Sequence, residues 1–128
     1  MKLLLDTHLL LWAAAGTGLL PRAAGLISDP ANSLYFSAAS IWEIAIKSAL
    51  GRAEFRLDAG VFRRELLENG YFELGVTGAH AAAVSQLPDL HKDPFDRILV
   101  AQAVVESITL LSADGAVLAY PGPIQSAD

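Results

Sequence analysis

The chain opens with MKLLLD (residues 1–6), a short apolar run that ends at an acidic side chain. Consecutive leucines bounded by an acid are typical of a strand that is buried on both faces of a sheet. Residues 1–5 are therefore predicted to form such a strand. Asp6 is predicted to lie where the strand ends.

Strands and helices alternate along the rest of the chain. Short apolar runs predict further strands at residues 34–36, 71–76 and 108–111. Apolar periodicity, proline starts and glycine stops predict helices at residues 8–15, 21–28, 37–50, 61–69, 78–86 and 94–106, with a helical turn at 115–119. The tail from about residue 121 is expected to be loose, with at most a short edge strand at Ile124. The alternation predicts a single domain over residues 1–128, with a largely parallel sheet and helices on both faces.

The composition narrows the class of protein. A hydrophobic content of 53% predicts a well-buried core, and a charged content of only 18% predicts apolar surface that a partner or second subunit covers. The net charge of −5 argues against a protein that holds nucleic acid by basic surface alone, although a bound divalent metal would reverse the local sign. The chain has no cysteine, which excludes disulfides and thiol nucleophiles and fits the cytoplasm. No apolar run approaches the roughly 20 residues that a membrane span needs.

Acidic side chains recur at the ends of the apolar runs. In a parallel sheet the carboxyl ends of the strands meet at one edge, and ligands bind there. Four acids are expected at or near this edge, after predicted strands or at the start of the helices that follow: Asp6, Glu43, Asp96 and Asp114. Burying one unpaired carboxylate costs several kcal/mol, so four acids in core-like segments predict a shared ligand.

Each acid also has a purely structural explanation. Asp6 is a suitable helix cap, and Asp114 with the following glycine is a suitable turn. Glu43 has the spacing of a capping box with Ser40 and of a helical ion pair with Lys47. Asp93 before Pro94 is a suitable cap, and Asp96 would then favour the helix dipole.

Taken together, the acids favour a metal site. Four carboxylates about 6 Å apart would repel by roughly 3 kcal/mol per pair at an effective dielectric of 20. The six pairs would total about 17 kcal/mol, more than the roughly 5–15 kcal/mol of a typical domain's stability. Such a cluster must be partly protonated, separated by basic side chains or loaded with metal. An oxygen-only ligand set favours Mg²⁺ or Mn²⁺. The three histidines have no metal-binding spacing, and His91 is expected in a loop near the site.

Four segments together resemble the PIN-domain family, and most of all its VapC-like toxin ribonucleases. They are LLLDTHLLLW (3–12), SAASIWEIAIKSALGR (37–52), DPFDRILVAQA (93–103) and LLSADGAVLAYPG (110–122). The resemblance implies a three-layer α/β/α sandwich and an acidic pocket that binds Mg²⁺ or Mn²⁺. It also implies metal-dependent endoribonuclease activity, as the toxin of a toxin–antitoxin pair.

The resemblance assigns residues as well. Asp6, Glu43, Asp96 and Asp114 match the family's acids and are the expected catalytic and metal-binding set. Ser112 stands where the family has threonine or serine, and it is expected to orient Asp114 or a metal-bound water. Thr7 is expected to orient Asp6. The expected phosphate contacts, judged by their position beside the acids, are Arg97, Lys47 and Arg52, and Arg97 has an ion pair with Asp93 as its alternative.

Two other kinds of protein remain open at this point. A non-enzymatic partner-binding module would use the acids structurally. A phosphoacceptor receiver domain would need an acidic pair after the first strand, but Asp6 is followed by Thr7 and His8. The expected partners are an RNA substrate, an antitoxin and a second copy of the chain, with residues 61–69 and 78–86 as candidate dimer surfaces.

Overall fold

The computed structural model describes all 128 residues and has an all-parallel sheet at its centre. The strand order is β3-β2-β1-β4-β5, so the first strand lies in the middle. The strands are β1 (Lys2–Leu5), β2 (Ser33–Ser37), β3 (Phe72–Leu74), β4 (Thr109–Ser112) and β5 (Ile124–Ser126). The helices are α1 (Thr7–Ala15), α2 (Pro21–Ser28), α3 (Ala38–Ala49), α4 (Ala59–Glu68), α5 (Gly78–Ala83), α6 (Pro94–Glu106) and α7 (Gly115–Leu118), with 3₁₀ turns at Ala53–Phe55 and Val84–Gln86.

The register brings the carboxyl ends of β1 and β4 side by side. Leu5, the last residue of β1, pairs with Leu111, and Leu4 pairs with both Leu110 and Tyr35 of β2. Asp6 follows Leu5 directly, and its backbone N–H donates to the Leu111 carbonyl at 3.2 Å. The end of the central strand is thus fixed beside the end of β4.

The sheet is covered on both faces. Leu3 and Leu5 point to one face, where they pack with Phe36 and with side chains of α1, α2, α3 and α4. Leu4 points to the other face and packs against α6 and α7, together with Leu110. The alternation of side chains along β1 therefore divides the core into two layers. The predicted PIN-like α/β/α sandwich with a parallel sheet is confirmed.

The predicted helices and strands are confirmed to within a few residues, and the tail is more ordered than expected. Ile124–Ser126 forms the edge strand β5, and this pairing extends the sheet beyond β4. Ala127 is 1% exposed, and its N–H donates to the Ser112 carbonyl at 2.9 Å. The short edge strand that was allowed for at Ile124 therefore forms, and it orders the tail because the outer side of β4 offers backbone hydrogen-bond partners. None of the helices has the length and apolar character that would let it cross a bilayer.

The position of Leu4 predicts a large loss of stability on truncation. Leu4 is 0% exposed in the central strand. Leu4→Ala should lower the free energy of unfolding by about 2–5 kcal/mol, because the cavity adds to the lost burial. Leu67→Ala, at an exposed leucine of α4, is the matched control and should cost less than about 1 kcal/mol. Urea denaturation of both variants tests this, and equal losses would contradict the described core.

Candidate active site

The four predicted acids lie around the carboxyl edge of the sheet. Asp6 and Asp114 follow the adjacent strands β1 and β4 and cap α1 and α7. Asp96 lies in the first turn of α6, and Glu43 lies on α3, which follows β2. The structure therefore brings together side chains that are up to 108 positions apart, since 114 minus 6 is 108.

Asp6 is held at both carboxylate oxygens. Oδ1 accepts from the Leu9 N–H at 2.9 Å, and Oδ2 accepts from the Ser112 hydroxyl at 2.6 Å. The side chain is buried, and this burial raises the pKa of Asp6 above its ordinary value. The two hydrogen bonds act against that rise, whereas the charge of Asp114 adds to it. Asp6 is thus a desolvated carboxylate within the field of a second acid.

Ser112 connects Asp6 to the start of α7. Its hydroxyl is fully buried, donates to Asp6 and accepts from the Asp114 backbone N–H at 3.0 Å. The Asp114 carboxylate is exposed and accepts through Oδ1 from the Ala116 N–H at 2.8 Å. The orienting role expected of Ser112 therefore acts on the Asp6 side chain and on the Asp114 backbone.

Glu43 has one satisfied and one unsatisfied oxygen. The side chain is 3% exposed, and Oε2 accepts from Lys47 Nζ at 2.5 Å, one helical turn away. The ammonium of Lys47 lies 5.0 Å from the Phe55 ring centroid and 5.7 Å from that of Phe95. Oε1 is buried and has no hydrogen-bond partner. A buried carboxylate oxygen without a partner is costly, so Oε1 is a position that a bound cation would satisfy.

Two of the expected local contacts around α3 are wrong. The helix is capped by Ser37, so Ser40 does not form a capping box with Glu43. The Ser40 hydroxyl instead accepts from the Thr7 hydroxyl at 2.9 Å. Thr7 was expected to orient Asp6, but its hydroxyl joins α1 to α3. It thereby fixes the helix that presents Glu43.

Asp96 lies in the same pocket as Glu43 and Asp6. Burial, followed by the charge of Asp93, raises the pKa of Asp96 to about 6, and a hydrogen bond from His91 opposes the rise. The charges of Glu43 and Asp6 also contribute to the rise, which places Asp96 within reach of both. Asp96 Oδ2 and His91 Nε2 are 2.8 Å apart.

Asp93 and His91 lie beside Asp96, just before α6. Asp93 caps α6, as expected, by accepting through Oδ1 from the N–H groups of Phe95 at 2.8 Å and Asp96 at 3.3 Å. One ligand atom each from His91, Asp93 and Asp96 lies within 4.8 Å of the others. His91 was expected in a loop near the site, and it lies five positions before Asp96 and contacts it. The motif HKDP (91–94) contains no periodicity that would reveal the contact.

Arg97 is placed differently from either expectation. Its guanidinium donates to the carbonyls of Pro88 at 3.0 Å and Val84 at 3.1 Å, and to the Tyr120 hydroxyl at 2.9 Å. It makes no ion pair with Asp93, and its Nη1 and Nη2 groups both donate to oxygen atoms of the protein. Arg97 therefore holds the loop before α6, and a phosphate contact by Arg97 stays a prediction.

The residues present fit a divalent cation. The pocket combines raised pKa values for Asp6 and Asp96 with the unsatisfied Oε1 of Glu43. Lys47 pairs with one oxygen of Glu43, whereas Asp6, Asp96 and Asp114 have no lysine or arginine within ion-pair distance. Oxygen ligands with excess negative charge are those that Mg²⁺ and Mn²⁺ prefer. Asp6, Glu43, Asp96 and Asp114 are the predicted ligands, whereas the ligand atoms that lie within 4.8 Å of one another are those of His91, Asp93 and Asp96.

Comparison with known proteins supports this reading of the fold. A family model described as PIN domain matches residues 3–122. Three solved structures have the same fold. VapBC2 from Rickettsia felis bound to a promoter DNA fragment has 12% sequence identity and a TM-score of 0.71, over 98% of both chains. A toxin–antitoxin complex from Klebsiella pneumoniae has 16% identity and a TM-score of 0.62, over 98% of this chain and 97% of that chain, and VapBC-1 from nontypeable Haemophilus influenzae has 16% identity and a TM-score of 0.64, over 99% of this chain and 98% of that chain. At these identities the likeness is one of fold. No curated protein matches the chain.

The raised pKa of Asp96 predicts how the stability of the metal-free protein depends on pH. A carboxyl whose pKa is about 6 in the folded state, instead of near 3.8, holds its proton more tightly when folded. Its ionisation therefore destabilises the fold as the pH rises from about 4 to about 6, and the loss is complete above that range. Asp96→Asn should remove this loss and raise the free energy of unfolding at pH 7 by about 1–2 kcal/mol, after allowance for partial exposure.

Urea denaturation at several pH values in the presence of EDTA measures this effect. Asp89→Asn, at an exposed aspartate of the neighbouring loop, is the control and should leave the pH profile unchanged. A lower stability of Asp96→Asn at pH 7 would show instead that the carboxylate stabilises the helix start.

Proposed function

The chain belongs to the PIN domain family, whose members are nucleases, and on that premise we propose that it is a metal-dependent endoribonuclease. We further propose that it is a VapC-like toxin restrained by an antitoxin. The observation that supports the proposal best is the site at the carboxyl edge of the sheet, where the charges of Asp6 and Glu43 both act on Asp96 and Glu43 Oε1 has no protein partner. If these acids served only the fold, nothing would explain why Glu43 Oε1 is buried without a hydrogen-bond partner.

The proposed reaction is hydrolysis of an RNA phosphodiester bond. A bound Mg²⁺ or Mn²⁺ lowers the pKa of water and neutralises charge on the phosphate as it reacts. Asp6 and Asp96 are the proposed principal ligands, with Asp114 and Glu43 completing the set. Ser112 keeps Asp6 in place, and Lys47 holds one oxygen of Glu43 and leaves the other available.

Substrate binding has to overcome the repulsion between the negatively charged protein and the phosphate groups of RNA. The net charge is −5, so phosphate would approach the pocket only when its acids are neutralised by cations. Lys47 was an expected phosphate contact, but its ammonium is engaged by Glu43. Arg52 and Lys92 are exposed and are the proposed phosphate contacts instead. A cytoplasmic site of action would give the protein access to RNA and suits a chain without cysteine.

A non-enzymatic partner-binding module remains the alternative, and the exposed apolar surface is the observation that favours it. In that case the acids would serve as caps, as Asp6, Asp93 and Asp114 do. The receiver-like alternative loses its support because the chain belongs to a different family.

Cleavage assays test the proposal directly. The protein should cut a circular, single-stranded RNA in the presence of Mg²⁺ or Mn²⁺, because a circle has no end for an exonuclease. Excess EDTA should abolish the activity. Asp6→Asn should reduce the rate by at least about a hundredfold, since a metal ligand supports several kcal/mol of transition-state stabilisation.

Asp89→Asn is again the matched control and should retain full activity. The same metals should raise the melting temperature of the wild type more than that of Asp6→Asn. A protein that neither cleaves RNA nor responds to metal would favour the binding module, and full activity of Asp6→Asn would remove Asp6 from the mechanism.

The antitoxin is proposed to occupy an apolar groove beside the acids. The groove has a volume of about 680 Å³ and lies between α3, α5 and the start of α6. Trp42 is 63% exposed there and meets Phe95 edge-to-face, with ring centroids 5.4 Å apart. These two side chains directly precede Glu43 and Asp96. A partner helix in the groove would therefore be able to offer a basic side chain to the acids.

Partner binding can be tested with the protein that the adjacent upstream reading frame encodes. Trp42→Ala should weaken the complex by about 30-fold, the effect of losing an aromatic anchor worth roughly 2 kcal/mol. Leu50→Ala is the control, because Leu50 is 66% exposed but does not line the groove. Calorimetry measures both affinities, and light scattering measures whether the free protein is the proposed homodimer. Equal effects of the two variants would place the partner elsewhere.

A further inference from the structure

We propose that His91 is a positioning residue of the metal site, which holds one oxygen of Asp96 so that the other faces the ion. This inference rests on the proposed function, since it concerns the same site. It assigns a role to a histidine that lies in the loop before α6, outside the acidic set.

The contact between His91 and Asp96 has a defined direction. An ionised carboxylate has only acceptors, so the imidazole Nε2–H donates to Asp96 Oδ2 across the 2.8 Å separation. The imidazole side chain is 25% exposed and the carboxylate 19% exposed, so the bond is partly shielded from water. With Oδ2 engaged by His91, Oδ1 is the oxygen of Asp96 that is available to an ion.

The backbone of His91 is itself held in place. Its carbonyl accepts from the Tyr120 hydroxyl at 3.3 Å and from Arg97 at 3.4 Å. Tyr120 is 4% exposed and also accepts from the Arg97 guanidinium. Arg97, which is half-buried, and the buried Tyr120 therefore form an anchor, and this anchor fixes the point from which the imidazole extends.

The same guanidinium holds the rest of the loop. Arg97 binds the carbonyls of Val84 and Pro88, at the start and middle of the segment that leads to His91. Residues 87–93 form no helix or strand, so these bonds determine their path. Arg97 directly follows Asp96 on α6. The first turn of α6 thus anchors the loop through Arg97 and accepts the hydrogen bond from His91 through Asp96.

A role confined to folding would make different predictions from a role in metal binding. If the loop contacts only stabilise the fold, every disruption should lower stability in proportion and leave the affinity for metal unchanged. If His91 positions Asp96, the affinity should depend on a donor at the Nε2 position. Partners that orient metal ligands typically contribute 10-fold to 100-fold in affinity.

Mn²⁺ binding to the metal-free full chain, measured by calorimetry, tests the inference. His91→Ala should weaken Mn²⁺ binding by about 10-fold to 100-fold. His91→Gln should restore most of the affinity, because the glutamine amide can donate from near the position of Nε2. Tyr120→Phe, which removes the hydroxyl from the anchor, should weaken binding by a smaller factor. Leu90→Ala, at an exposed residue of the same loop, is the control and should bind as the wild type does.

Each outcome has a distinct meaning. Wild-type affinity in His91→Ala, or equal losses in His91→Ala and Leu90→Ala, would overturn the role of His91 alone while RNA cleavage by the wild type stands. Nitrogen modulation from an imidazole in the electron spin echo spectrum of bound Mn²⁺ would also overturn it, because His91 would then be a direct ligand. A wild type that binds no Mn²⁺ and cleaves no RNA would overturn the proposed function together with this inference.

Discussion

Burial of carboxylates at the carboxyl edge of the sheet, with their mutual repulsion added to it, is the constraint that organises this protein. Burial and neighbouring charges together raise the pKa values of Asp6 and Asp96, so ionisation of these groups works against folding. The protein lowers this cost with a separate donor for each of three acids and leaves further oxygens free. The three hydrogen-bonded pairs are Ser112 with Asp6, Lys47 with Glu43, and His91 with Asp96.

The parallel sheet explains why the acids meet at all. Because every strand runs the same way, each connection has to return to the opposite edge before the next strand begins. Strand ends and helix starts therefore gather at the carboxyl edge, and caps such as Asp6 and Asp114 are placed there by helix formation alone. The pocket thus uses positions that already favour an acid, and only Glu43, within a helix, needs a dedicated cation.

The sequence predicted those features that depend on neighbouring residues. Apolar runs, glycine stops and caps located the strands and helices, and strand order within a parallel fold placed the acids at one edge. Contacts between distant segments left no local signal. The bond from Thr7 to Ser40 and the anchoring of the loop by Arg97 each join residues whose spacing is irregular. The position of Arg97 beside the acids predicted a phosphate contact, whereas its observed hydrogen bonds hold the loop before α6.

The bond between Ser112 and Asp6 spans 106 positions of the chain. A polypeptide leaving the ribosome presents Asp6 and Glu43 long before Asp96, Ser112 and Asp114 have been synthesised. Contacts of such separation form late in folding, since the intervening segments must be ordered first. The nascent chain is therefore without a complete pocket through most of its synthesis. A nuclease of this family would in this way be without a complete site while it is being made.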